Sequence, residues 1–381
     1  MVDLNIESKQ FLLRFGKPME EFRHFSAPGR INIIGEHVDY LGGIVLPAAI
    51  DFSVHLWISP NKSDQFNLYS LDFDSLVKIK RPFQSSQIWS DYLIGVIVEI
   101  EKEGFHVPGF DAFLTGNIPQ GAGLSSSASV EVVTGFAISS LFGFKFSREK
   151  IALLGQAAEN HFVGTKCGIM DQFIIATGKE DHCISLNTET LEYSYHTFDL
   201  KGYEFSLINS NVKHSLKDSD YNQRRLECES ALKKIKSANL NISQLYEAKE
   251  DDLKLAGLST AEEKRVRHVI GEKNRTQAVV RGLENGDLTS VGKALFETHW
   301  SLSKLFEVSC EETDFIVSEL ERMGVEGARM IGGGFGGCIL VLDKIGNFSQ
   351  NQEEFQKKYI QKFGYPVDFY QFKISDGVRE I

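Results

Sequence analysis

Apolar residues at Phe11, Leu12 and Phe15, with Ile6 a turn or more earlier, follow the helical period and predict a short amphipathic helix over residues 5–16. From Phe25 to Leu56 the pattern becomes extended, in segments expected to break at Gly29, Gly35, the Gly42–Gly43 pair and Pro47. Alternation at Phe110, Ala112 and Leu114 predicts a strand that Gly116 and Pro119 stop. A helix is expected next, because Val130, Val133, Ala137, Ile138 and Leu141 keep the helical period until Gly143 closes it. Ile151–Phe162 reads as a second helix, ended by Gly164. Beyond residue 195, Tyr203–Asn209 reads as a strand, and the charged stretches Tyr221–Ser237 and Ala261–Leu283 as long helices with solvated faces. A helix near Thr313–Met323, a glycine run, the apolar strand Cys338–Leu342 and a final helix and strand complete a mixed α and β pattern without repeats.

A chain of 381 residues exceeds what one ordinary core serves, so two domains are expected, 1–195 and 196–381. Hydrophobic residues at 42% and charged residues at 24% are the composition of an ordinary globular protein. A formal charge of -11 leaves no basic footprint for a polyanion, so nucleic acid is not an expected partner, although a local pocket could still take a small anion. The five cysteines are scattered, with no CxxC pair and no zinc-finger spacing, as free thiols in a reducing cytosol would be. Residues 1–25 show no basic leader followed by an apolar stretch, and no window approaches the roughly 18 apolar residues of a membrane span. A cytoplasmic monomer with no membrane partner is the expectation.

Chemistry enters at Pro119-Gln-Gly-Ala-Gly-Leu-Ser-Ser-Ser-Ala-Ser129, where small residues lie between a predicted strand and the first turn of a helix. Gly121 and Gly123 let backbone approach a ligand closely, and the unpaired N–H groups of a helix start favour anions. One helix terminus contributes roughly 0.3–1 kcal/mol toward a nearby charge. A triphosphate therefore needs several donors and a divalent ion to converge. A flexible glycine and serine turn is the plain alternative. No GxxxxGK[ST] motif and no protein-kinase motif set occurs. The run Gly332–Gly337 satisfies GxGxxG literally but precedes a strand, whereas the dinucleotide fingerprint follows one and opens a helix.

Three segments together resemble the GHMP kinases, and within them the galactokinase branch: Gly29-Arg-Ile-Asn-Ile-Ile-Gly-Glu-His-Val-Asp-Tyr40, the loop Gly121–Ser129 and Gly332–Gly337. A fourth, Cys167-Gly-Ile-Met-Asp-Gln172, is similar to that branch's catalytic segment. The first is the most specific, and the likeness covers nearly the whole length. It implies an α+β fold of two domains, an N-terminal one like ribosomal protein S5 domain 2 and a C-terminal ferredoxin-like one, with the active site in the cleft between them. It also implies an enzyme that moves the γ-phosphoryl group of ATP, with Mg2+, onto the anomeric hydroxyl of galactose. That reaction gives galactose 1-phosphate and ADP and opens galactose metabolism. A kinase for N-acetylgalactosamine or arabinose, or a sensor that binds sugar and ATP without turnover, are the alternatives.

The resemblance makes Asp171 the base and Arg30 the cation beside it, which keeps Asp171 ionised and screens the transferring group. A purely structural ion pair is the other reading of Arg30. Glu36, His37, Val38, Asp39, Gly168 through its backbone, and Tyr221 are implied on the sugar, joined by Arg30 and Asp171. The carboxylate and imidazole cluster could instead hold a metal. Ser127 and Glu159 are implied as Mg2+ ligands, though Glu159 also reads as a solvated helical glutamate. For ATP the resemblance implies Ser70 and Trp89 at the base, and Gly121, Ala122, Gly123, Leu124, Ser125, Ser126, Ser127, Gly333 and Gly334 at the phosphates. Trp89 reads equally well as core packing, and Gly332–Gly337 as a tight turn before a buried strand.

Overall fold

After helix α1 (Leu4–Phe15), the strands β1 (Arg23–Asn32), β2 (Ile44–Val45), β3 (Pro47–Pro60), β4 (Gln65–Ser70) and β5 (Ser75–Lys80) lead to α2 (Asp91–Lys102) and β6 (Phe110–Gly116). Helices α3 (Ser126–Phe142), α4 (Arg148–Ala158) and α5 (Met170–Thr177) follow, then strands β7 (His182–Asn187), β8 (Tyr193–Thr197) and β9 (Tyr203–Asn209). The remainder runs through α6 (Lys217–Ala238), α7 (Glu250–Leu255), α8 (Thr260–Asn285), α9 (Leu288–Ser301) and α10 (Glu311–Arg322) to β10 (Gly327–Met330) and β11 (Cys338–Lys344). It closes with α11 (Gln352–Phe363), β12 (Asp368–Gln371) and β13 (Arg379–Glu380). This structure, a computed structural model, describes residues 4–212, 217–238 and 241–381.

The first sheet has the order β13-β1-β3-β6-β4-β5, the second β10-β11-β9-β12 and the third β2-β7-β8. Helices α3 and α5 pack on β1 and β3, while α2 and α4 complete the helical layer. Phe11 of α1 covers the opposite face, stacked on Phe113 at 4.4 Å within a cluster that holds Phe22, Trp57 and Tyr69. Both faces of the sheet are thus apolar, which is why β6 is buried at Phe113 as well as at Ala112 and Leu114. The short helix predicted near the N-terminus is present, but Leu12 points to solvent and Phe11 alone of that pair enters the core.

One expected break is absent. Strand β1 runs through Gly29 with only a register shift between Pro28 and Gly29, whereas at Pro47 the extended run does break, between β2, which ends at Val45, and β3, which Pro47 opens. The shift is a bulge, which admits an extra residue without ending the ladder. Proline is tolerated at a strand's first residue for the same reason it is excluded from the middle, its missing N–H. The charged helix α8 also departs from expectation. It begins with a Ser259–Glu262 capping box, yet its inner face is polar, with Arg265, His268 and Glu272 at 1% exposure or less.

The glycine run Gly332–Gly337 joins the antiparallel neighbours β10 and β11 and opens no helix, so it is not a dinucleotide fingerprint. Past β12 the chain crosses back to the first sheet. Gly377 and Val378 donate their N–H groups to the carbonyls of Gly178 and Ile175, both at 2.8 Å, and β13 pairs with β1. Among the described residues no helix is long and apolar enough to cross a membrane.

Candidate active site

The bulge in β1 brings the glycine and serine loop against the strand. Arg30 donates its N–H to the Leu124 carbonyl at 3.2 Å, and a Cβ on Gly29 would come within 3.0 Å of that same oxygen. Arg30 is 5% exposed, and its guanidinium grips Asp171 as a fork, with Nε to Oδ1 and Nη2 to Oδ2 both 2.8 Å. Its third nitrogen, Nη1, donates to the Gly123 carbonyl at 2.5 Å. Burial alone would lower the guanidinium pKa, but Asp171, Glu36 and Asp39 outweigh it and raise it, so the charge is permanent. Asp171 stands in the first turn of α5, and its side chain remains 27% exposed. Ser125 Oγ donates a short hydrogen bond to Asp171 Oδ2.

That hydrogen bond has a structural cost. Ser125 occupies the N-cap of α3 in the left-handed conformation, at φ 64 and ψ 48, and its hydroxyl caps nothing. The helix start is therefore left open to an acceptor from outside. Gly332 lies against Gly123, where a Cβ would be 3.2 Å from the Gly123 carbonyl, so the two glycine loops meet backbone to backbone. Between them is a cavity of about 380 Å³ lined by Arg30, Gly121, Gly123, Leu124, Ser125, Ser126, Ser127, Tyr221, Gly333 and Gly334. Ala122 is buried behind it.

Ser126, Ser127 and Tyr221 also line a larger neighbour of about 760 Å³, making one continuous cleft. Its wall includes Ser70 and Trp89, with Asp72, Phe73, Ile88, Tyr92 and Val130, which sequence reasoning did not reach. Trp89 is half-buried, its indole N–H has no partner, and its ring lies parallel to that of Phe73 at 6.4 Å. It lines the cavity as well as packing. Asp91 accepts from Ser85, Ser86 and Gln87 and so folds the preceding loop into that wall. An aromatic pair flanking a helix start, Trp89 before it and Tyr92 in its first turn, is the available signal.

On the other side of Arg30, the turn after β1 carries the remaining residues. Glu36 is 4% exposed and already engaged. Its Oε2 accepts from Arg329 Nη2 at 2.7 Å and Asn32 Nδ2 at 3.1 Å, and its Oε1 from the Gly332 N–H at 3.1 Å. His37 has a φ of 58, places Nδ1 3.0 Å from the Tyr40 hydroxyl and packs on Phe306 and Tyr221. Its buried Nε2 has no partner. Burial foremost, then His268, lowers its pKa to about 3, so the ring is neutral. Val38 is fully buried and its carbonyl accepts from Leu41 and Gly43, so it supplies the turn and offers no side-chain contact. Asp39 abuts Gly168, whose missing Cβ would overlap Asp39 Oδ2. Burial, then the nearby Asp171 and Glu36, lifts the Asp39 pKa to about 7. Tyr221 is half-buried and touches His37 and Tyr40.

Glu159 is not a solvated helical glutamate. It opens a widened turn, Glu159–Val163, at the end of α4 and is 8% exposed. Gln172 Nε2 donates to its Oε2 at 2.7 Å, and nearby Ser127 favours its charged form. Burial, then Asp171, raises its pKa to about 7. The same Gln172 amide reaches Glu131, a wholly buried acid whose pKa burial and Glu159 drive well up. Neither Glu131 nor Gln172 was singled out from sequence. Among the described residues no group of three or more His, Cys, Asp or Glu could hold a metal ion. The pair Ser127 and Glu159 fits a Mg2+ ion that takes most of its ligands from phosphates and water.

Comparison with known proteins follows the same lines. A profile described as "GHMP kinases N terminal domain" matches residues 91–179, "Galactokinase galactose-binding signature" matches 9–60, and "GHMP kinases C terminal" matches 279–362. The chain is 45% identical over 356 residues to Galactokinase of Thermotoga petrophila, covering 93% of this chain and 99% of that one. It is 41% identical over 366 residues to Galactokinase of Clostridium acetobutylicum, covering 94% of each. The structure of Lactococcus lactis galactokinase complexed with galactose superposes with a TM-score of 0.95 at 34% identity, over 99% of this chain and 100% of that one. A mevalonate kinase at 17% identity and a TM-score of 0.64 shares the fold.

Proposed function

The chain belongs to the galactokinase branch of the GHMP kinases, and from that premise we propose that it transfers the γ-phosphoryl group of ATP to the anomeric hydroxyl of galactose. The observation that carries this reading is the fork between Arg30 and Asp171, set where the sugar turn, the helix start and the two glycine loops meet.

ATP lies along the cleft, with its base toward Trp89 and Ser70 and its phosphates on the glycine loops and the open start of α3. Ser125 joins that helix start directly to Asp171, so the phosphate seat and the carboxylate are neighbours. Galactose is received on the far side of Arg30 by Glu36, His37, Asp39, Tyr221 and the backbone at Gly168. Phosphoryl transfer asks mainly for positioning and charge neutralisation, because its transition state is loose. Asp171 takes the proton of the attacking hydroxyl late, when the bond to phosphorus is advanced and the hydroxyl has become acidic. Arg30 holds both oxygens of Asp171 and lends positive charge to the transferring group. Ser127 and Glu159 would hold Mg2+, which would supply neutralising charge at the phosphates.

The test is ADP release measured with galactose, glucose, arabinose and N-acetylgalactosamine in turn. Turnover led by galactose supports the reading. Preference for another of these sugars moves the function within the branch, and ADP release at background with all four leaves a sensor.

A further inference from the structure

The sugar turn is fastened to the distant half of the chain by two buried charged side chains. Arg329, in β10, is 0% exposed and turns two of its three guanidinium nitrogens to this turn: Nε donates to the Ile33 carbonyl at 2.9 Å, and Nη2 to the Asn32 carbonyl and to Glu36 Oε2, while Nη1 donates to the Met330 carbonyl at 2.9 Å. Glu272, on the inner face of α8, is also 0% exposed. A single oxygen, Oε1, accepts the N–H groups of both Gly35 and Glu36 at 2.9 Å. Its other oxygen is held by Arg275 at 2.8 Å and by the Thr298 hydroxyl at 3.0 Å. His268, one turn before Glu272, adds Nε2 on the Glu36 carbonyl at 3.1 Å. The backbone and side chain of Glu36 are thereby fixed from outside the turn, and a carboxylate buried among donors in this way has one orientation.

We propose that Arg329 and Glu272 are positioning residues for sugar recognition: they hold the turn 33–37 in its binding geometry before the sugar arrives, and Arg329 aims the Glu36 carboxylate. The inference rests on the placement of galactose proposed above. Neither residue touches the substrate; both act through the turn that carries Glu36. A turn held ready in this way spares the ordering that binding would otherwise require. Loss of the clamp therefore weakens sugar binding more than nucleotide binding, whose side it reaches only through the Gly332 N–H on Glu36 Oε1.

The experiment compares the full-length parent with Arg329→Met, which keeps volume, Arg329→Lys, which keeps charge but loses the fork, Glu272→Gln, and the pair Glu36→Gln with Glu36→Gln/Arg329→Met. KM for galactose and for ATP, kcat and the thermal midpoint are read for each. The expected result is a rise in galactose KM of about tenfold or more in Arg329→Met and Glu272→Gln, a smaller rise in Arg329→Lys, and an ATP KM within about threefold of the parent. The double variant should lose less for galactose than the sum of the two single effects, because part of what Arg329 does runs through that carboxylate. A lowered thermal midpoint with galactose KM unchanged would make both residues merely structural and overturn the inference. Additive effects in the double variant would overturn it too, and if Arg329→Met does not fold, Arg329→Lys and Glu272→Gln decide by the same KM comparison. A parent that does not turn over galactose removes the functional reading and this inference together, whereas an active parent with indifferent variants removes only this one.

Discussion

Asp171 receives three donors from two directions, the Arg30 fork and the Ser125 hydroxyl, and its side chain is still 27% exposed. Asp171→Asn keeps the shape, loses the base and mispairs one amide with a guanidinium. Its kcat should fall by about 10²–10⁴-fold, the usual contribution of general-base catalysis, while equilibrium dialysis with galactose shows binding retained. Near-normal turnover would remove the base assignment. Asp39 makes a second case, because its pKa of about 7 is raised by burial and by two neighbouring carboxylates. The folded protein then holds a proton on Asp39 that the unfolded chain has already released above about pH 4, so this group costs stability as pH climbs from about 4 to about 7. Asp39→Asn should accordingly raise the thermal midpoint at pH 8, where the parent carries the buried charge, and leave it nearly unchanged near pH 4, while galactose binding is lost. Melting curves at the two pH values check the sign.

Helix α3 shows how an element is started at some expense to serve the site. Its N-cap Ser125 is left-handed without being glycine, a conformation that costs roughly 1–2 kcal/mol in an L-residue. Ser125→Ala and Ser125→Gly both remove the hydroxyl on Asp171 and should lower kcat alike, but only glycine relieves the backbone. The glycine variant should therefore melt higher than the alanine variant, and equal melting would place the strain elsewhere. The elements differ in how far they could be read in advance. Strand β9 and helix α3 follow from periodicity and glycine stops, and the turn from Gly29 to Tyr40 from its motif, because those signals are local. The inner face of α8 could not be read, since Arg265, His268 and Glu272 are residues that periodicity assigns to solvent. Their partners lie on Glu227, Glu307 and the sugar turn, far away in sequence. The widened turn at Glu159 leaves no pattern at all, and it is what turns that carboxylate inward to Ser127 and Gln172.

Across the whole molecule, the last residues tie the end of the chain to the helix that bears Asp171. Gly377 and Val378 bond the carbonyls at the end of α5, Val378 is fully buried, and Glu380 pairs with Arg23 across β13 and β1. Removing residues 375–381 should lower the thermal midpoint by several degrees, since one buried valine contributes about 1.5–3 kcal/mol and each lost hydrogen bond roughly 1 kcal/mol. Arg23→Ala, which breaks the exposed ion pair with Glu380 and two exposed hydrogen bonds to Ser140, should lower the midpoint less than the truncation does. The crossing of the chain back to the first sheet was invisible in the sequence, because two residues of strand carry no pattern.

In the proposed reaction this cleft brings one particular oxygen of the sugar to Asp171 and to the phosphates seated at Ser125–Ser127. Phosphorus-31 spectroscopy of the sugar product formed from galactose and ATP tests that directly. A single sugar phosphate whose phosphorus couples to the anomeric proton is expected; phosphate on any other hydroxyl, or ADP formed without a sugar phosphate, would rule the reaction out.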